Sequence, residues 1–448
     1  MSEIGPRSLL DELARCMRCG FCQAVCPIYR EEGTEFSVAR GKLILIEALA
    51  DGRLAPTPEV EKAIGLCLVC KSCKASCPSG VRTDLIMAMA REMLNQSRGR
   101  GLAKTAILKV AGDRRAAAGL AGLGGLFWRV AFAGPPTAGG LWRLRLPTGH
   151  YYPRPSGRSL TSGLRRRERR GVIGTADRRT NSLSFTPTGA QGEVLLWLGC
   201  LVNYMLPSLG LAAIDVLLAA KIRVVVGIDE GCCGMPRYVN GEISGTAQTA
   251  RRNLDWLARV RGQGSQVASG SPLLFVCPSC AEAWKTYPEL LQGREKEAAK
   301  TAAAAVVDVS TFLCRGAGDW RRLLREPPSS SPLTVTYHDP CHLAQAQGVR
   351  QDPRTLIAAI PGARFQEMSE PAGCCGSGGT FALFNAATAR KIGQRKAKAI
   401  IATGAGLVAT GCPACRLQLA QELVVAGHFV SVRHTVEVLA QALGWGDR

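Results

Sequence analysis

The chain lacks the glycine signatures of a nucleotide enzyme: no GxGxxG opens a helix after a strand, and no Walker loop is present. It is therefore not expected to hold its own dinucleotide or flavin. Histidine is scarce, five in 448 residues, and forms no His-rich metal motif. Long apolar runs are missing too. The best of them, residues 116 to 134, is interrupted by Arg129 and by Gly119, Gly122, Gly124 and Gly125, so it reads as a packed or interfacial helix rather than a membrane crossing. The opening Met1-Ser2-Glu3-Ile4-Gly5-Pro6-Arg7 has no apolar h-region, which leads us to expect a cytoplasmic protein whose thiols stay reduced. Acidic residues are in deficit, 35 against 56 Lys and Arg, for a formal charge of +21.

Cysteine is what the chain has, 19 of them. One spacing occurs twice: Cys16-x2-Cys19-x2-Cys22-x3-Cys26-Pro27 and Cys67-x2-Cys70-x2-Cys73-x3-Cys77-Pro78. Three thiolates two residues apart wrap one face of an iron–sulfur cubane, and the fourth, aimed away just before Pro, reaches the open iron of the other cluster. The pattern thus assigns Cys16, Cys19, Cys22 and Cys77 to one [4Fe–4S] cluster and Cys26, Cys67, Cys70 and Cys73 to a second. Zinc sites are usually two separated CxxC pairs, which this is not. Two oxidised four-cysteine cubanes, about −2 each, would bring the net charge to about +17.

Between the two runs the sequence reads as helices. Residues 36 to 50 carry Val38, Leu43, Ile44, Ile46 and Leu49, Thr57 and Pro58 give an N-cap and a first helical position, and a further helix runs from Thr83 through Leu94. This predicts an α-helical ferredoxin domain over residues 1–98. Residues 99–191 read as a helical and basic linker, with eleven Arg between 141 and 180, among them Arg165, Arg166, Arg167, Arg169 and Arg170. Three readings of the Arg-rich stretch remain open: a solvated loop, a dock for an acidic partner, or peripheral contact with anionic lipid on the inner face of the cell membrane. Nucleic acid is not expected, since no recognition motif or aromatic platform accompanies the basic run.

A second repeat fills 192–328 and 329–448. In the first copy Cys200, Cys232-Cys233-Gly234 and Cys277-Pro278-Ser279-Cys280 each follow a run of strand character; in the second, Cys341, Cys374-Cys375-Gly376 and Cys412-Pro413-Ala414-Cys415 do the same. Offsets of 141, 142 and 135 residues relate Cys200 to Cys341, Cys232 to Cys374 and Cys280 to Cys415. Apolar strands alternating with helices predict two α/β domains with parallel sheets, in which ligands gather beyond the strands' carboxyl ends. The ten cysteines therefore converge in one crevice per copy, as ligands of further iron–sulfur clusters, as zinc ligands, or as free thiols. Gly376-Ser377-Gly378-Gly379 reads as a turn beside the cluster rather than a phosphate cradle. His338 and His342 bracket Cys341. His150, His428 and His434 read as incidental, and Cys314 as an inert core thiol.

The tandem Cys…Cys-Cys-Gly…Cys-Pro-x-Cys module behind a twin cluster domain, with Tyr337-His338-Asp339-Pro340-Cys341-His342 and Cys374-Cys375-Gly376-Ser377-Gly378-Gly379-Thr380-Phe381, resembles the iron–sulfur subunit of glycolate oxidase and its lactate and glycerol-3-phosphate relatives, and also the cysteine-rich subunit of heterodisulfide reductase. The resemblance implies an oxidoreductase subunit beside a separate FAD-containing dehydrogenase of a 2-hydroxy acid such as glycolate or lactate, passing electrons to a quinone or other carrier. Its heterodisulfide side implies a different activity, cleavage of a disulfide at a noncubane cluster held by a five-cysteine module.

Overall fold

The computed structural model describes residues 6–113, 159–169, 174–262, 267, 268, 270–316, 319–325 and 333–444, with short pieces at 116–119, 122, 132–133, 141–144 and 151–153. Most of the apolar stretch from 116 to 134 lies outside the described residues, as do Arg170 and His150. No described helix is long and apolar enough to cross a membrane.

Residues 6–98 are helices joined by short turns, with no strand among them. Thr57 accepts from the Val60 amide at the head of helix Pro58–Gly65, and Pro58 sits where its missing N–H costs nothing. Helix Ala39–Ala50 buries Leu43 and Ile46 against the core, while Ile44 points outward at 41% exposure. Helix Thr83–Arg98 is buried along its whole first half, Thr83 to Ala90, because it is clamped between the other N-terminal helices and the first α/β unit in one shared core.

The first sheet contains β1 (Thr175–Asp177), β2 (Ser182–Phe185), β3 (Gly192–Trp197), β4 (Ile222–Gly227), β5 (Leu273–Phe275) and β6 (Val306–Asp308), in the order β1-β2-β4-β3-β5-β6. The second contains β7 (Leu333–His338), β8 (Ala363–Phe365), β9 (Leu407–Thr410) and β10 (Ser431–His434), ordered β8-β7-β9-β10. The four parallel strands thus follow the same path in both copies: second, first, third, fourth. The first copy adds the antiparallel hairpin β1–β2 on its β4 edge, so the sheet reaches back to Thr175, into the stretch the sequence reads as linker. Val194 to Trp197 are all fully buried, as parallel strands covered on both faces must be. The two copies share a core in which helix Thr435–Ala442 lies on helix Pro207–Ala219.

Asp308 ends β6 and caps helix Val309–Arg315, accepting from the Ser310 amide at 2.8 Å. Burial pushes its carboxyl up to about 7. Since the unfolded value is near 3.9, the folded chain keeps a proton that the unfolded chain has lost, and stability falls as pH rises between about 4 and about 7, by about 1.4 kcal/mol per unit at most. Asp308→Asn preserves the cap and should flatten that slope in denaturant midpoints taken from pH 5 to 8; an unchanged slope would mean that Asp308 titrates normally.

Candidate metal centres

Left-handed residues shape the two N-terminal loops. Arg18 (φ 56°) and Gly20 (φ 88°) in the first run match Val69 (φ 51°) and Lys71 (φ 63°) in the second, 51 positions on in both cases. A β-branched residue at positive φ is costly and persists only where surrounding structure imposes it. The reversals curl each run. One cavity is lined by Cys16, Cys19, Cys22, Cys73 and Cys77, and another by Cys26, Cys67, Cys70 and Cys73, with Cys73 shared by the two. The last cysteine of each run therefore faces the three leading cysteines of the other.

The two cavities differ in their surroundings. The first is at the surface: Cys19 is exposed, with Met17 and Phe21 exposed beside it at 70% and 62%. The second lies deeper, with Cys70 buried, and burial pushes the Cys73 thiol up to about 12. Lys42, 2% exposed, lies against Cys26 and Cys67 with its ammonium on the Ser37 carbonyl; burial pulls its pKa down while the two sulfurs pull it up. A buried cation beside four thiols, Cys70 buried and Cys26, Cys67 and Cys73 half-buried, fits an anionic metal–thiolate group in that cavity. Arg91, half-buried, donates to the carbonyls of Ile64 (3.1 Å), Gly65 (3.1 Å) and Cys67 (2.8 Å), and across to Val239. Lys71 pairs with Asp84 at 2.9 Å and with Glu282 of the first α/β unit.

In the α/β units every cysteine group stands just past a strand. Cys200 and Cys341 enter the short helices after β3 and β7; Cys232-Cys233 and Cys374-Cys375 lie in the loops after β4 and β8; Cys277 and Cys412 are the N-caps of helices Pro278–Leu290 and Pro413–Val425. The first and third strands flank the topological switch point, where ligands collect in open α/β sheets. Gly234 (φ 86°) and Gly376 (φ 88°) follow the paired cysteines, and at Gly376 a Cβ would lie 2.4 Å from the Ala389 carbonyl oxygen. Loop positions are fixed from behind. The buried Glu230 carboxylate accepts from the amides of Leu198 (3.0 Å) and Gly199 (3.1 Å), Asn253 donates to the Cys232 carbonyl (3.0 Å), and Tyr287 to that of Cys233 (2.7 Å).

The thiols form one connected line. Neighbouring thiols that shift one another's ionisation run Cys200, Cys232, Cys233, Cys280, Cys277, then Cys412, Cys415, Cys375, Cys374 and Cys341, so Cys277 and Cys412 link the two copies. Cys375 and Cys415 are 3.3 Å apart, sulfur to sulfur. Neighbouring S–H donors hold Cys232, Cys277 and Cys375 well below the usual thiol range and bring Cys341 to about 7, while the thiols that donate to them are pushed up. Thiolates are the metal-binding form of cysteine, and helix N-termini at Cys277 and Cys412 favour it further. All ten are free of disulfides.

Three joints hold the sites together. His342 bonds Ser279 Oγ through Nδ1 (2.9 Å) and the Val69 carbonyl through Nε2 (3.1 Å), tying the second cysteine run to both α/β units. His434 is not incidental as its isolation in sequence suggests: fully buried, it bonds the Val276 carbonyl through Nε2 (3.0 Å) and caps its own helix through Nδ1. His428 is exposed, and Cys314 is half-buried at the rim of the second core. Finally, Cys26, Cys341 and Cys374 pack on a core of Leu66, Leu68, Cys70 and Phe381, so the buried N-terminal cavity abuts the second α/β unit. The glycine-rich turn closes this contact, since a Cβ at Gly378 would meet the Leu68 side chain at 2.5 Å. Sequence reasoning missed Lys42, Lys71, Asp84, Arg91 and Glu282; Lys42 and Arg91 stand among apolar helix residues, an unusual setting for charge.

A family model described as a 4Fe-4S dicluster domain matches residues 12–81, and one described as a cysteine-rich domain matches residues 194–283 and 335–420. The chain is an iron–sulfur protein that joins a 4Fe-4S dicluster domain to two cysteine-rich domains. It is similar to the probable glycolate oxidase iron–sulfur subunit of Bacillus subtilis (strain 168), 28% identical over 97% of this chain and 94% of the relative, and to the glycolate oxidase iron–sulfur subunit of Escherichia coli (strain K12), 27% identical over 96% and 94%. One subunit of the dihydromethanophenazine:CoB–CoM heterodisulfide reductase of Methanosarcina barkeri is 29% identical over 57% of this chain and 60% of its own length.

Proposed function

We propose that the chain is the electron-transfer subunit of an oxidoreductase complex. A separate FAD-containing dehydrogenase removes two electrons and two protons from a small 2-hydroxy acid, glycolate or lactate, and this chain carries the electrons on to a quinone or another carrier. The observation that supports this reading is the unbroken line of thiol sites from the outer Cys16, Cys19, Cys22 and Cys77 group, through the inner Cys26, Cys67, Cys70 and Cys73 group, to Cys341 and Cys374. We assign these two N-terminal groups as the ligands of two [4Fe–4S] clusters, which supply one-electron chemistry when bound. The chain's own residues set the environment: Met17 and Phe21 present an apolar rim for a docking flavoprotein, and Lys42 places a buried positive charge at the inner site. We assign the ten cysteine-rich-domain thiols to further clusters.

The isolated chain should contain no stoichiometric flavin and should not oxidise glycolate or lactate, activity returning only with the flavoprotein. Met17→Glu with Phe21→Glu should slow electron entry in that reconstituted complex at least tenfold without loss of iron. Flavin in the single chain, or unchanged turnover in the double variant, would contradict the account. A second reading has its own support in the Cys277–Cys412 contact between two complete five-cysteine sets and in the likeness to the heterodisulfide reductase of Methanosarcina barkeri: the chain itself cleaves a disulfide in its cysteine-rich domains. Disulfide reduction by the single chain with an artificial one-electron donor separates the two.

A further inference from the structure

The two cysteine-rich domains repeat each other closely, but they differ at one position that faces the thiols. The last residue of β7 is His338, and 141 positions earlier, at the end of β3, stands Trp197. His338 is fully buried, and neither ring nitrogen bonds an oxygen or another nitrogen; the group its ring faces is the Cys375 thiol. A ligating nitrogen of its ring and the sulfurs of Cys375 and Cys415 all lie within 4.8 Å of one another. A buried imidazole that no oxygen or nitrogen satisfies is costly, and such a group persists where something else meets it. Here the groups it faces are two sulfurs, those of Cys375 and Cys415.

We propose that His338 is a metal ligand of the second cysteine-rich domain, which makes the two domains chemically unlike: thiolates alone in the first, thiolates with one imidazole in the second. This rests on the assignment of metal to those domains. Trp197 occupies the matching strand end, but its indole N–H is a donor without a free lone pair, so it cannot ligate. It is instead enclosed by Trp256 and Trp284, at ring centroid distances of 5.0 and 5.2 Å. Imidazole together with thiolate suits a borderline transition metal, here either iron of a cluster or Zn²⁺. On iron, replacing thiolate character by a neutral imidazole raises the reduction potential, as it does in His-ligated iron–sulfur centres, so the second domain would be the stronger electron acceptor of the pair.

The test uses the full chain purified anaerobically, as wild type, His338→Ala, His338→Gln and Trp197→His. Histidine is labelled with ¹⁵N, and metal is counted as iron and as zinc per chain. If the metal is iron, pulsed EPR of the reduced protein should show a nitrogen coupling that changes with the label and disappears in both His338 variants, whose second-domain signal moves to lower potential. If it is zinc, X-ray absorption should show sulfur neighbours with a nitrogen at roughly 2.0–2.1 Å, lost in the same variants. Metal in the second domain with no nitrogen coupling or scatterer in the wild type would overturn the proposal and leave the assignment of metal standing. A wild type with only about eight irons and no zinc would overturn both. The wild-type measurement decides the matter even if a variant fails to fold.

Discussion

Cys26→Ala is expected to strip the buried inner site, lowering bound iron by about four per chain while leaving the surface site spectroscopically intact; Cys77→Ala should do the reverse. Each substitution lies in one run and acts on the other, because the cavity walled by Cys67, Cys70 and Cys73 is closed by Cys26, and that walled by Cys16, Cys19 and Cys22 by Cys77. Thiolates supply every protein ligand of a four-cysteine cubane, so loss of one releases or degrades the cluster. EPR of the reduced protein distinguishes the two clusters by exposure: relaxation of the surface one responds to an added aqueous paramagnet. Losses confined to the run that carries the substitution would contradict the crossed assignment.

Lys71→Met is expected to cost about 3–5 kcal/mol of stability, the largest effect foreseen for any residue outside the cysteines. Its ammonium, 3% exposed, lies between Asp84 and Glu282, which are 5% and 10% exposed. Removing it leaves two buried carboxylates with only Lys74, 3.1 Å from Asp84, to compensate. The triple variant Lys71→Met, Asp84→Asn, Glu282→Gln should recover most of the loss, since removing a whole buried charge network is far cheaper than breaking it. Burial raises the Asp84 carboxyl, but Lys71 and Lys74 outweigh this and hold it down to about 2. Its folded value lies below the unfolded one near 3.9, so its contribution is present above about pH 4 and is lost as pH falls towards 2. Denaturant unfolding under anaerobic conditions measures all three proteins; a single-variant loss below about 1 kcal/mol would show that the network is solvated.

Much of the site could be read in the sequence because its determinants are local. On our assignment the reach of a cubane sets the spacing within Cys16 to Cys26 and Cys67 to Cys77, and a parallel strand announces itself by an unbroken apolar run such as Val194 to Leu198, so the cysteines beyond each strand end could be placed without coordinates. Residues that act across the fold were not legible. Lys71 meets Glu282 at a separation of 211 residues, and His434 bonds Val276 at 158. Nothing in the neighbourhood of either residue signals its partner. The hairpin β1–β2 was hidden in the Arg-rich stretch because its strands are short and polar at their edges, and their assignment depends on pairing with β4 rather than on local propensity. His338 stood in a visible motif, yet its importance emerges only against Trp197, the residue the other copy places at the same strand end.

The central claim is that this chain holds its electrons on a line of metal–thiolate sites running from the N-terminal domain into both cysteine-rich domains. Iron, zinc and acid-labile sulfide counted per chain on anaerobically purified wild type, with EPR of the same sample, test it most directly. Well over eight irons with matching sulfide and no stoichiometric zinc are expected, about eight of the irons belonging to the two cubanes. Eight irons or fewer, or zinc in place of iron in the cysteine-rich domains, would contradict it.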